Sequence, residues 1–277
     1  MSQKTDFSTL RRFLCLEQYE WGDIVRFQDD ILGMADDLYA LDGFRSLLHD
    51  LSLRPGVPLA FWGTHRCFSP ERCNALLKET GGAEGSRKRR AADPRPLCRL
   101  TVVREENLWV GLIGWLRSVP RPTIMVYQGD VTLSFLGIGL ACDFRLAAHD
   151  TTFYNQGKNL DMPPVAGLLY LLPAYIGLGR ANNLVLRSKE MSTYSAHSWG
   201  LLDEVAAAEE LEPALVQMAA GLSGFSAATL DTVRHLLNQH LPRVDGYFTA
   251  ESQGLDKAFW ARHGDGITNR EVEDASL

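Results

Sequence analysis

The sequence predicts an α/β fold, and three observations carry that prediction. Thr123 to Tyr127 is a short β-branched and apolar run behind Pro122, the pattern of a strand buried on both faces. Phe144 to Ala148 is a second β-type run. Between the two lie a turn at Gln128-Gly129-Asp130 and small or apolar residues from Leu136 to Ala141, which read as a buried helix joining two strands. From Asp36 to Leu53, Leu38, Leu41, Phe44, Leu47, Leu48 and Leu51 recur at three- and four-residue spacing, so a helix with one buried face precedes this pair.

The remaining elements follow in chain order. Phe13 to Val25 mixes aromatic, acidic and β-branched residues. Arg54-Pro55-Gly56 ends the first helix, and Val57 to Trp62 restarts as a strand that runs into Gly63-Thr64-His65-Arg66. Glu79 to Arg99 has no apolar period, carries Gly81-Gly82 and Ser86-Arg87-Lys88-Arg89-Arg90, and reads as a surface loop. Leu100 to Leu116 resumes helical spacing through Val103, Leu108, Leu112 and Leu116. After Val205 the chain is helical to its end, with Leu211 to Leu222 and Ala227 to Leu241 periodic.

Composition narrows the function classes. A chain of 277 residues, 45% hydrophobic and 22% charged, can bury one large core and carry an appendage. A net charge of -6 argues against a nucleic-acid partner, which needs a basic face to displace counterions. Cys15, Cys67, Cys73, Cys98 and Cys142 are odd in number and scattered, and no basic and apolar leader precedes them, so a reducing cytoplasm is expected. No apolar run is long enough to span a bilayer, and no His, Cys, Asp or Glu cluster has metal-ligand spacing, so neither membrane nor metal is expected.

Gln128 to Asp143, QGDVTLSFLGIGLACD, resembles the central signature of the crotonase (enoyl-CoA hydratase and isomerase) superfamily, N-G-Y-A-L-G-G-G-C-E-L-A-L-A-C-D, without a gap. Phe153 to Gly177 is similar to that family's next segment, sharing Phe153, Gln156, Asn159, Leu160, Pro164, Ala166, Gly167, Leu172, Pro173, Ile176 and Gly177. Met191 to Val205 resembles I-S-A-E-E-A-x-x-L-G-L-V-D-E-V, and Leu59 to Cys73 is a worn copy of L-L-T-G-x-G-K-A-F-S-A-G-A-D. The resemblance implies a crotonase-like spiral of β-β-α units in residues 1–205, with an antiparallel hairpin over Phe13 to Val25, and a helical trimerisation region in residues 206–277. It implies an acyl thioester substrate, on coenzyme A or an acyl carrier protein, no further cofactor, and a homotrimer or hexamer.

The same resemblance locates the chemistry. The family holds a thioester carbonyl between two backbone N–H groups, which stabilises an enolate; the matching residues are Arg72 and Ser134. The glycines and alanine that let the family's backbone approach its ligand are here Leu133-Ser134-Phe135 and Pro70-Glu71-Arg72-Cys73. The family's two catalytic glutamates fall on Gly137 and Gly157, and a third carboxylate position falls on Val165. None can transfer a proton, so the two-glutamate hydratase mechanism is not available. That leaves enolate chemistry without an enzyme carboxylate, with decarboxylation of a malonyl-type thioester ahead of hydration, or a catalytically degenerate binding or partner subunit.

Other residues remain open on sequence alone. Asp130 and Asp161 lie in the matching segments, where burial would raise a carboxylate towards proton transfer, but both also suit turns. Tyr154, Asn155 and Gln156 could line an acyl pocket, and His65 could be an acid, a base or an exposed loop residue. Cys67 and Cys73, beside Arg66 and Arg72, are either reactive thiols or small buried side chains. Arg87, Lys88, Arg89 and Arg90 could hold the phosphates of coenzyme A, dock an acidic carrier protein, or simply be solvated.

Overall fold

The apolar runs become the central strands of a sheet covered on both faces. The structure, a computed structural model, describes residues 8–29, 31–63, 66–81, 108–157, 162–222, 225–239 and 245–263. Its strands are β1 (Leu14–Gln18), β2 (Asp23–Phe27), β3 (Leu59–Gly63), β4 (Thr123–Tyr127), β5 (Asp130–Thr132), β6 (Phe144–Ala148), β7 (Thr152–Tyr154), β8 (Glu190–Ser192) and β9 (Glu204–Ala206). Six form one sheet in the order β1-β2-β3-β4-β6-β9, and β5-β7-β8 form a second. In the larger sheet β1 pairs antiparallel with β2, giving the expected hairpin, and each of the other pairings is parallel.

Burial on both faces explains the unbroken apolar sequence of β3 and β4, in which every residue is buried. One face presents Val25, Phe27, Phe61, Met125 and Tyr127 to the main core. The other presents Ile24, Ala60, Trp62, Ile124, Val126 and Leu146 to Leu211, Ala214, Leu215 and Ala219. The helices are α1 (Leu38–Ser52), α2 (Pro70–Gly81), α3 (108–118), α4 (Leu133–Gly139), α5 (Leu168–Asn182), α6 (Thr193–Ser198), α7 (Leu211–Gly221), α8 (Ala227–Asn238) and α9 (Asp245–His263).

Local chemistry sets the boundaries. Asp37 caps α1 by accepting the N–H groups of Tyr39 and Ala40, each at 3.0 Å. Phe44, Leu47, Leu48 and Leu51 form its buried stripe. Helix α4 begins at Leu133, three residues before the apolar run that predicted it, because Asp130 to Thr132 pair with β7 and hand the chain straight into a helix. The loop expected from Glu79 starts later, since α2 continues to Gly81. The rest of that loop, the first part of the helix expected from Leu100, and Cys98 lie outside the described residues.

One fully buried and one part-buried ion pair fasten the frame. Arg121 and Asp23 have fully buried side chains 2.7 Å apart; the guanidinium also donates to the carbonyls of Val57 (2.6 Å), Leu51 (3.1 Å) and Pro58 (3.0 Å). Arg54 pairs with the other oxygen of Asp23. On the far side, Asp143 accepts the Thr123 N–H at 2.7 Å and pairs with Arg234 of α8 at 2.8 Å. Arg234 is the buried residue of a helix that leaves Val233, Leu236 and Leu237 exposed. Among the described residues no helix is long and apolar enough to cross a membrane.

Candidate active site

The two expected oxyanion segments meet. Ser69-Pro70-Glu71 is a strong helix start: a capping hydroxyl, a proline where no donor is needed, and an acid in the first turn. As a result the Arg72 N–H donates to the Ser69 hydroxyl at 3.2 Å. Ser134 stands in the first turn of α4, where Thr132 makes no side-chain cap, and its Oγ accepts the Val165 N–H at 3.2 Å. The Thr132 N–H donates to the Phe68 carbonyl at 3.0 Å, and Gln156 Nε2 donates to the Pro70 carbonyl at 2.8 Å. The space beside this junction is aromatic. Phe68 and Phe135 stack with centroids 3.3 Å apart and planes 11° off parallel, with Phe27, Trp109 and Tyr127 at their edges.

The positions expected to have lost their carboxylates are filled by backbone. A Cβ on Gly137 would stand 2.7 Å from the Ala166 carbonyl oxygen, 2.9 Å from the Leu168 nitrogen and 3.0 Å from its Cα. A Cβ on Gly157 would run into the Met162 carbonyl oxygen. Val165 is a half-buried apolar residue packed on the core. The turn that closes the Gly137 position is unusual in its backbone, with Ala166 at φ 62° and Gly167 at φ 69°.

The charged candidates gather beside this junction, in a cleft that shares Ser69 and Arg72 with it. Asp130, Asp29, Arg66, Ser69, Glu71 and Arg72 line an open cleft of about 640 Å³. Burial, then repulsion from Glu71, Asp150 and Glu190, raises the Asp130 carboxyl above the usual range. The sign of its effect follows: a carboxyl held above its unfolded value weakens the fold wherever it is ionised, and the penalty disappears as pH falls through that raised value. Asp130→Asn is therefore expected to raise the melting temperature at pH 7, with the gain fading towards pH ~4. An unchanged or lowered melting temperature at pH 7 would show that Asp130 is stabilised where it stands. Asn155 donates from its side chain to the Leu184, Val185 and Ser188 carbonyls, a structural task. Cys67 is fully buried, which settles it as a packed side chain. Asp161, His65 and the Arg87, Lys88, Arg89, Arg90 run lie outside the described residues. Among the described residues no group of three His, Cys, Asp or Glu could hold a metal ion.

The family model described as enoyl-CoA hydratase/isomerase matches residues 105–265, more than half of the chain. The chain belongs to the enoyl-CoA hydratase/isomerase family. Over 158 residues it is 28% identical to the probable enoyl-CoA hydratase EchA12 of Mycobacterium tuberculosis, covering 57% of this chain and 55% of that protein. Over 97 residues it is 32% identical to the trans-2-decenoyl-[acyl-carrier-protein] isomerase of Streptococcus mutans, covering 35% of this chain and 37% of that one. The chain thus spans at most about half the length of these curated relatives. An enoyl-CoA hydratase structure from Bacillus halodurans superposes with a TM-score of 0.66 at 16% identity, covering 89% of this chain and 95% of that one. One from Mycobacterium avium subsp. paratuberculosis gives 0.66 at 18%, covering 95% and 98%. At such identities these two show the fold alone, and the fold is that of the crotonase superfamily.

Two polar residues of this family member had no signal in the sequence. Glu251 and Tyr247, one helical turn apart on α9, are brought to the turn that closes the Gly137 position. The Gly167 N–H donates to the Glu251 carboxylate at 3.2 and 3.4 Å, and the Tyr247 hydroxyl donates to its Oε1 at 2.8 Å. Burial and the neighbouring Glu251 charge push the Tyr247 hydroxyl well above its usual value, so it stays a donor. A lone acid in a helical tail looks solvated from sequence, and only the docking of the tail shows otherwise.

Proposed function

We propose that this family member binds an acyl thioester, on coenzyme A or an acyl carrier protein, and turns it over by enolate stabilisation without an enzyme carboxylate. The observation that carries this reading is the closure of Gly137 and Gly157 by backbone atoms, which leaves no room for either glutamate. Hydration and double-bond shift need a group to move a proton, and each missing acid or base costs roughly two to four orders of magnitude in rate. Loss of carbon dioxide from a malonyl-type thioester has no such need. The electrons of the breaking carbon–carbon bond pass to the α-carbon and the thioester oxygen, the N–H groups of Ser134 and Arg72 stabilise that enolate, and water returns the proton.

A partner-subunit reading is favoured by a different observation. The Arg72 N–H is already engaged by Ser69, and the Phe68–Phe135 stack lies against the junction. Purified protein tested on crotonyl-, 3-enoyl- and methylmalonyl-coenzyme A separates the readings. Methylmalonyl decarboxylation with crotonyl hydration at background supports the first, and strong crotonyl hydration overturns it. No turnover and no coenzyme A binding by calorimetry gives the partner-subunit reading the lead. Self-association belongs to the same proposal, because Phe225, Val233, Leu236 and Leu237 expose an apolar surface on and beside α8. A monomer by light scattering would remove it.

A further inference from the structure

The peptide that fills the Gly137 position is gripped on both sides. Ala166 and Gly167 share it, and both are left-handed, a conformation that alanine keeps only where its surroundings impose it. The carbonyl oxygen faces Gly137, 2.7 Å from where a Cβ would stand, and the N–H on the opposite edge donates to Glu251 at 3.2 Å. Glu251 is 8% exposed and is steadied by Tyr247, whose ring lies 5.1 Å from that of Tyr170 on α5. Phe248 packs on the same turn, 3.6 Å from a Cβ built on Gly167. A carboxylate suits this place, because α5 starts here with the positive end of its dipole. One residue earlier, Val165 N–H donates to Ser134 Oγ. Three consecutive residues therefore connect the C-terminal helix to the residue whose N–H faces the thioester in the reading above.

We propose that Glu251 is a positioning residue that sets the depth of the acyl chamber. While its carboxylate holds the Gly167 N–H, the Ala166 carbonyl fills the space beside Gly137; when it lets go, the turn withdraws and the chamber deepens. This deepens the functional reading and rests on it, since the chamber in question is the acyl site proposed there.

Two measurements test it, one of them free of any ligand. In a double-mutant cycle, Gly137→Ala is expected to lower the melting temperature of the native protein by roughly 3–8 °C. In a Glu251→Ala background it should cost less than about half of that, because the released turn can move away. Tyr247→Phe is the milder background should Glu251→Ala fail to fold, with relief of the same sign. Additive effects overturn the proposal. The second measurement is the affinity ratio of octanoyl- to acetyl-coenzyme A by calorimetry. Glu251→Gln keeps the side chain's size but accepts more weakly, and should move the ratio towards octanoyl by about tenfold. A merely structural role would move both affinities together, so an unchanged ratio also overturns it. If neither thioester binds to any variant, the acyl-site reading fails, and the cycle still decides the role of Glu251.

Discussion

A Gly137→Glu, Gly157→Glu double variant is expected to lose its native fold without gaining hydratase activity. Each new side chain would start inside the contact distance of a carbonyl oxygen, that of Ala166 at one position and that of Met162 at the other. Neither obstacle is the flexible end of a side chain. Ala166 belongs to a turn whose N–H and flanking residues are fastened to Glu251 and Ser134. Overpacking by a single methyl costs about 1–3 kcal/mol, and a glutamate adds a longer chain with a charge that must be desolvated. Against a total stability of about 5–15 kcal/mol, two such changes are enough to unfold the domain. Circular dichroism and a crotonyl-coenzyme A assay check this together. A natively folded double variant that hydrates crotonyl-coenzyme A would show that the backbone yields and that the closed geometry is no barrier.

Asp23→Ala carries the second large effect, a loss of about 3–5 kcal/mol. Asp23 and Arg121 are both fully buried, and the guanidinium has no route to water once its carboxylate is gone. Burial already lowers the Arg121 pKa despite the pull of Asp23, which marks the strain that removal of the anion would expose. The three carbonyls around Arg121 would remain as neutral acceptors and would not replace the lost charge. The readout is the midpoint of urea unfolding with the slope unchanged. A shift equivalent to less than about 1 kcal/mol, the usual value for an exposed pair, would show that water or Arg54 rescues the site.

Much of this architecture was legible in the sequence for simple reasons. The strands Thr123–Tyr127 and Phe144–Ala148 are buried on both faces or nearly so, and short β-type runs so poor in exposed polar residues have few other uses, Arg145 being buried as well. Helix α1 was legible because its apolar stripe faces one core. That Gly137 and Gly157 stand where the family places carboxylates followed from the resemblance. What replaced them did not. The turn at Ala166 is left-handed although alanine disfavours it, and the groups that hold it come from α9, more than eighty residues away. The stacking of Phe68 on Phe135 is equally non-local, since a short-range pattern marks each as apolar and says nothing of their meeting. The engagement of the Arg72 N–H was within reach, because Ser69-Pro70-Glu71 is a helix start that aims a hydroxyl at that donor.

Asp143, the last residue of the segment by which this chain resembles its family, is occupied with holding the chain together. One of its oxygens accepts the Thr123 N–H and hydroxyl at 2.7 and 2.9 Å, and Arg234 donates to both. Arg234 in turn donates to the carbonyls of Leu116 and Val119, so this one carboxylate and its guanidinium tie together three stretches of chain: residues 116–123, the Asp143 segment and α8. The recognisable end of the motif is a keystone. A chain can therefore keep the family's most visible lettering for reasons of architecture alone. For relatives at this distance the spelling of Ala141-Cys142-Asp143 is an address for the building and tells a visitor nothing about the occupant.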